Sequence, residues 1–252
     1  MYKRSHTGST SDRKQNGLIK LKCDLHTHII GDKRHELLSP GMMSPWAFID
    51  LASSLGFDVL SFTYHDYIYQ DVNVWEYAKE KEIILLPGTE RSIDRRHVLL
   101  FNCPHAETLT TFSEIRNYKH IFQDCLVIAP HPFYGDRVCL GKELIKNIDC
   151  FDAIEYCHFY TSFFNLNRKA VRVARKFGLP MIGCSDAHRK DDFATTYSHI
   201  YVKERSVDAV IEAIKAGRVD YVTSPLPFIK FLKESLWIAT RLSFVLKGEV
   251  KH

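Results

Sequence analysis

LIKLKCDLHTH, residues 18–28, is a short apolar run that stops on two histidines, His26 and His28. A two-residue spacing on an extended chain sends both imidazoles to the same side. The same arrangement, an apolar strand candidate followed by a titratable side chain, recurs along the sequence. DVLSFT (58–63) leads to His65 in FTYHD, and EIILLP (82–87) leads to Glu90 in PGTE, with His97 seven residues on at the head of HVLLF (97–101). CLVIA (125–129) leads to His131 in APHPF, and PMIGC (180–184) leads to Asp186 and His188, again two residues apart. DAIEY (152–156), SHIYV (198–202) and RVDYV (218–222) complete the strand candidates.

Amphipathic stretches separate most of these runs. Ser44 caps a helix with Pro45 at its first position, Ser206 opens another that closes on Gly217, and NLNRKAVRVARKFG ends on Gly178. Strands alternating with helices predict an α/β fold with a mostly parallel sheet. A chain of 252 residues that is 45% hydrophobic suits one large core, and a barrel is the usual form at this length. Parallel barrel strands converge at their C-terminal ends, where such barrels carry their active sites. The eight side chains named above then form one shared site. Neutral imidazoles mixed with carboxylates are the ligand set for zinc, manganese or iron, and cysteine is not required.

Composition excludes other classes. Residues 1–20 hold five basic side chains against Asp12 alone, leaving 29 basic and 29 acidic residues in the rest. The body lacks the basic bias of a non-specific nucleic-acid binder. Residues 1–17 read as a disordered basic tail without the apolar centre of a signal peptide, 18–224 as the barrel, and 225–252 as a C-terminal amphipathic helix. That helix, with Phe228, Leu232, Leu236, Ala239, Leu242 and Leu246 near one face, packs on the barrel, forms a homo-oligomer interface or lies on a membrane surface. No run is long enough to span a membrane. The seven scattered cysteines suggest neither a disulfide framework nor a thiolate metal site, so a reducing cytoplasm is expected. Six of the thirteen histidines carry the site pattern; His6, His105, His120, His199 and His252 have no motif context.

The ordered set DLHTH, FTYHD, PGTE with a nearby histidine, APHP and GCSDAH resembles the PHP (polymerase and histidinol phosphatase) superfamily, over residues 21 to about 222. The resemblance implies a distorted TIM-like (β/α)7 barrel holding two or three divalent metals, Mn, Zn or Fe. It assigns as ligands His26, His28, His65, Glu90, His97, His131, Asp186 and His188, with Glu90 as the bridge. Asp32 is favoured over His35 as a further ligand. The short step from Glu90 to His97 resembles the stand-alone phosphoesterase branch. Tyr64 stands where the family has aspartate, which implies rearranged support of the site.

The chemistry implied is metal-dependent hydrolysis of a phosphate ester by a metal-bridged hydroxide, with His131 or Asp186 handling the proton. Expected substrates are a small phosphorylated metabolite, a nucleotide or a short nucleic-acid end. Arg91, Arg137 and Arg168 are the candidate phosphate contacts, because a guanidinium fork matches phosphate oxygens. Glu155, which ends a strand, is read as supporting the site; Asp24, Asp66 and His158 are near-site candidates, and aromatic residues such as Tyr64, Tyr134 and Phe159 share the same loops. The alternatives are a histidinol-phosphate phosphatase, disfavoured by the Glu90–His97 spacing, and a non-catalytic binding module.

Overall fold

The computed structural model describes residues 14–15, 17–32, 41–135 and 137–236. His35, most of the basic tail and the C-terminal segment beyond 236 lie outside the described residues. Among the described residues, twelve strands fall into two six-stranded sheets. The first holds β1 (Lys14–Gln15), β2 (Leu18–Thr27), β3 (Val59–Phe62), β5 (Ile84–Leu85), β11 (Thr196–Val202) and β12 (Val219–Thr223). The second holds β4 (Tyr64–His65), β6 (Gly88–Ile93), β7 (Arg96–Phe101), β8 (Leu126–Ala129), β9 (Ala153–Cys157) and β10 (Met181–Cys184).

All nine strand candidates are strands, and the fold is a mixed α/β arrangement. The expectation of a mostly parallel sheet holds for β2–β3–β5, β4–β6 and β8–β9–β10 but not elsewhere. The pairs β6–β7, β7–β8, β2–β11 and β11–β12 run antiparallel. For β6–β7 the cause is the turn: Asp94 and Arg95 both adopt positive φ, 46° and 64°, the conformation of a two-residue hairpin. β6 itself had no strand signature, since GTERSI is polar; it forms because β4 and β7 pair with its two edges.

The helices follow their caps. In α1 (Pro45–Ser54) the Ser44 side chain accepts from Ala47 N, and in α6 (Val207–Lys215) Ser206 accepts from Ala209 N. The helix α5 (Asn167–Phe177) stops at Gly178, whose φ of 70° suits a residue without Cβ. The sheets meet at two glycine seams. A Cβ on Gly88 would lie 2.5 Å from Ser61 Oγ, and one on Gly183 would lie 2.9 Å from Tyr197 O. Ser198 Oγ stitches the second seam, accepting from Gly183 N and donating to Gly183 O. A bridge between Thr27 and Ala187 and the bond from His28 N to Ala187 O tie β2 to the segment after β10.

One cysteine expectation is corrected. Cys103 and Cys125 form a disulfide, while Cys23, Cys139, Cys150, Cys157 and Cys184 are buried thiols. The antiparallel register Phe101↔Leu126 places the first pair side by side, which a 22-residue separation does not disclose. The stretch 228–236 is helical but presents an unexpected face. Phe228, Leu232 and Leu236 are exposed, while Phe231 stacks on Phe159 and Lys230 and Glu234 reach the segment after β10. No helix among the described residues is long and apolar enough to cross a membrane.

Candidate metal centre

Strand ends deliver the polar residues to one place. His26 closes β2 and His28 follows it; their Nε2 atoms lie at equal distances, 3.4 Å from Glu90 Oε2 and 3.3 Å from Asp186 Oδ1. His65, on β4, brings its Nε2 to 3.0 Å from the same Glu90 oxygen. The other oxygen, Oε1, faces His97 Nδ1 at 2.6 Å and His131 Nε2 at 3.1 Å. Glu90 is thus a hub for five imidazoles while being only 2% exposed. The β6–β7 hairpin explains its reach to His97: the register Ser92↔His97 brings the two strands' side chains together within seven residues. His188 joins through its ring, stacked on His28 at 4.3 Å, and through Nδ1, which donates to Asp186 O.

Four overlapping groups have geometry suited to a metal ion: His26, Glu90 and His131; His26, His28 and Asp186; His28, Asp32 and His65; and His65, Glu90 and His97. The donor set fits a divalent cation on a further ground. His26 Nδ1 is 3.0 Å from Glu155 Oε1, so the ring can donate there and leave the Nε2 lone pair facing two carboxylates. That Nε2 is buried and makes no hydrogen bond. An unpaired acceptor facing carboxylate oxygens calls for a cation between them.

The electrostatics agree. Burial opposes ionisation of Glu90, yet the imidazoles of His97, His65 and His26 hold it well below the usual carboxylate range. Asp186, only partly buried, is likewise held well below that range by His26 and His28. Burial alone would discharge His65, but Glu90 and Asp32 raise it to about 9. In each case the carboxylates stay charged and seek positive partners, which a bound metal supplies by displacing protons. Asp186 and His131 also carry positive φ, 49° and 26°, a backbone cost that clusters at functional sites.

The remaining residues divide by what they touch. Asp32 Oδ2 lies 2.9 Å from Nδ1 of both His28 and His65, so it orients two rings besides belonging to a candidate metal group. Tyr64, at the usual aspartate position, donates from its hydroxyl to Ile30 O and pins the loop that carries Asp32. Gly31 lies against that hydroxyl at φ 96°. Asp66 accepts from Arg91 Nη1 and Ser92 N, and Arg91 Nε donates to Leu109 O. Arg137 and Arg168 have exposed side chains; the former's carbonyl accepts from Arg96 Nη1. Glu155 also accepts from His131 N through its second oxygen. Sequence reading missed Cys139, whose Sγ is 3.5 Å from His131 Nδ1; nothing in its local sequence signals this contact.

Residues 165–219, which include Asp186 and His188, match the family model described as PHP-associated. No curated protein matches the chain. Among solved structures, a two-domain protein from Bacteroides vulgatus containing a predicted PHP-like metal-dependent phosphoesterase superposes with a TM-score of 0.62 at 22% identity, covering 82% of this chain and 66% of that one. PsfC from Pseudomonas syringae superposes at 0.55 with 14% identity, covering 89% of this chain and 99% of PsfC. The lesion-specific endonuclease PfuEndoQ from Pyrococcus furiosus superposes at 0.56 with 17% identity, covering 79% of this chain and 56% of that one. At these identities the likeness is one of fold. The chain spans slightly under two thirds of the Bacteroides protein.

Proposed function

We propose that the chain is a metal-dependent phosphoesterase of the PHP superfamily, a reading supported by the PHP-associated match over residues 165–219 and by the shared fold. The observation that carries the reading is Glu90, with one oxygen shared among three imidazoles and the other between two. Two or three divalent ions, manganese, zinc or iron, would be held by His26, His28, Asp32, His65, Glu90, His97, His131, Asp186 and His188. Bound there, such ions supply Lewis-acid stabilisation of phosphate oxygens and lower the pKa of water.

The protein's own groups do the rest. Glu155 fixes the His26 tautomer, and Asp32 does the same for His28 and His65. His131 and Asp186 are the groups that hold or pass a proton at the reacting phosphate. Arg137 and Arg168, exposed, are assigned to the substrate's phosphate; Arg91, with Nε and Nη1 engaged by Leu109 and Asp66, contributes through its remaining donors. The substrate is a small phosphorylated metabolite, a nucleotide or a nucleic-acid end, the last supported by the fold shared with an endonuclease.

Metal analysis of the purified protein, followed by a manganese-supplemented panel of nucleoside bisphosphates, cyclic phosphodiesters, sugar phosphates, histidinol phosphate and short RNA, tests this reading. The expected result is at least one tightly bound divalent ion per chain and hydrolysis that the Asp186→Ala variant loses. Hydrolysis surviving in that variant would remove the proposed site, and absence of bound metal and of manganese stimulation would favour a binding module.

A further inference from the structure

His158 follows the end of β9, between the strands β8 and β10 whose exits supply the candidate ligands His131 and Asp186. The register Cys157↔Cys184 places His158 beside the Ser185–Asp186 exit from β10, and Asn167 holds the end of β9, accepting from Cys157 N and donating to Cys157 O. His158 is 8% exposed, belongs to none of the metal groups, and its Nδ1 is buried without a hydrogen bond. Burial lowers its pKa against the opposing pull of Asp186, Asp192 and Glu155, so at neutral pH the ring is uncharged, with one nitrogen to donate and one to accept.

A buried imidazole nitrogen without a partner costs stability unless something present during function satisfies it. Its neighbours indicate what that is. Phe159 is 6.3 Å from His158 between ring centroids, stacks on Phe231 at 4.6 Å, and meets Tyr134 at 6.1 Å. Tyr134 lies three residues beyond His131, and its hydroxyl is buried. A hydrogen-bonding atom beside backed aromatic faces suits a flat ring with polar edges. A plain alkyl group would leave Nδ1 unpaired.

Resting on the phosphoesterase reading, we propose that His158, with Phe159 and Tyr134, recognises the esterified group of the substrate, and that this group carries a heteroaromatic ring. His158 then sets specificity without holding metal.

The test measures kcat and KM of the manganese-loaded full chain on uridine 5′-monophosphate and phenyl phosphate, with metal content determined for every variant. His158→Ala should lower kcat/KM on the nucleotide on the order of tenfold to a hundredfold, mainly through KM, and leave phenyl phosphate within about twofold. His158→Asn, which restores a hydrogen-bonding side chain, should recover part of the loss. Equal losses on both esters, no loss on either, or a wild-type preference for phenyl phosphate would each overturn the proposal. A metal-loaded wild type that hydrolyses neither ester but does hydrolyse a sugar phosphate overturns this proposal alone, whereas one that hydrolyses no ester of the wider panel overturns the phosphoesterase reading as well.

Discussion

From β2 round to β8 the mouth of the fold is lined by imidazoles and carboxylates that are almost fully buried and joined to one another. Between the end of β9 and the 228–236 helix the lining changes to rings, with Phe231 in contact with both Phe159 and Phe164 and Phe163 94% exposed. The first side has positions fixed by charge, where removal of one partner leaves others uncompensated. The second is held by non-directional contacts that tolerate exchange. Catalysis and recognition are thereby separable, and each substitution below asks whether that separation is real.

The largest effect is expected from Glu90→Gln. Because both oxygens are engaged, its loss should exceed the ~10–100-fold typical of a supporting group, and metal content should fall with activity. Retention of metal by this variant would mean that the charged side is not the metal site. Glu155→Gln changes no candidate ligand, yet it should weaken metal binding by about 10–100-fold, because one amide oxygen cannot serve both His26 Nδ1 and His131 N. Metal titration followed by elemental analysis reads both variants.

Arg137→Ala should raise KM by about tenfold at unchanged metal content. An unchanged KM on every accepted ester would free Arg137 from that role. The smallest effect concerns pH. In the metal-free protein, His65 has its pKa raised from 6.5 to about 9, so its contribution to stability is complete below the unfolded value and disappears as pH rises through 9. The melting temperature of metal-stripped protein should therefore fall further between pH 6.5 and 9.5 in wild type than in His65→Asn, by several degrees. Bound metal, having displaced the proton, should flatten this difference.

The charged side was legible in the sequence because its residue types are seldom placed at strand ends for packing, and their two-residue spacings translate directly into shared orientation. Strand β6 was not legible: its polar residues form a strand only because neighbours pair with both edges. Nor could local spacing foresee that Asp66 would engage Arg91, since 25 residues separate them. The ring side joins Phe159 to Phe231 across the whole last part of the chain, and the disulfide depends on a strand register. Periodicity reports which face of an element is apolar, and it is silent about which distant element will meet that face. The exposed Phe228, Leu232 and Leu236 are an instance.

The glycine seams carry a consequence for how this architecture can vary. Gly88 lies two residues before Glu90 and Gly183 three before Asp186, so each point of closest approach between the sheets sits immediately upstream of a carboxylate of the centre. A methyl group at either glycine would act as a wedge, widening the gap between sheets and transmitting that displacement along one short strand to the carboxylate. The spacing between candidate metal positions is thus adjustable from the backbone, by residues that bear no functional group at all.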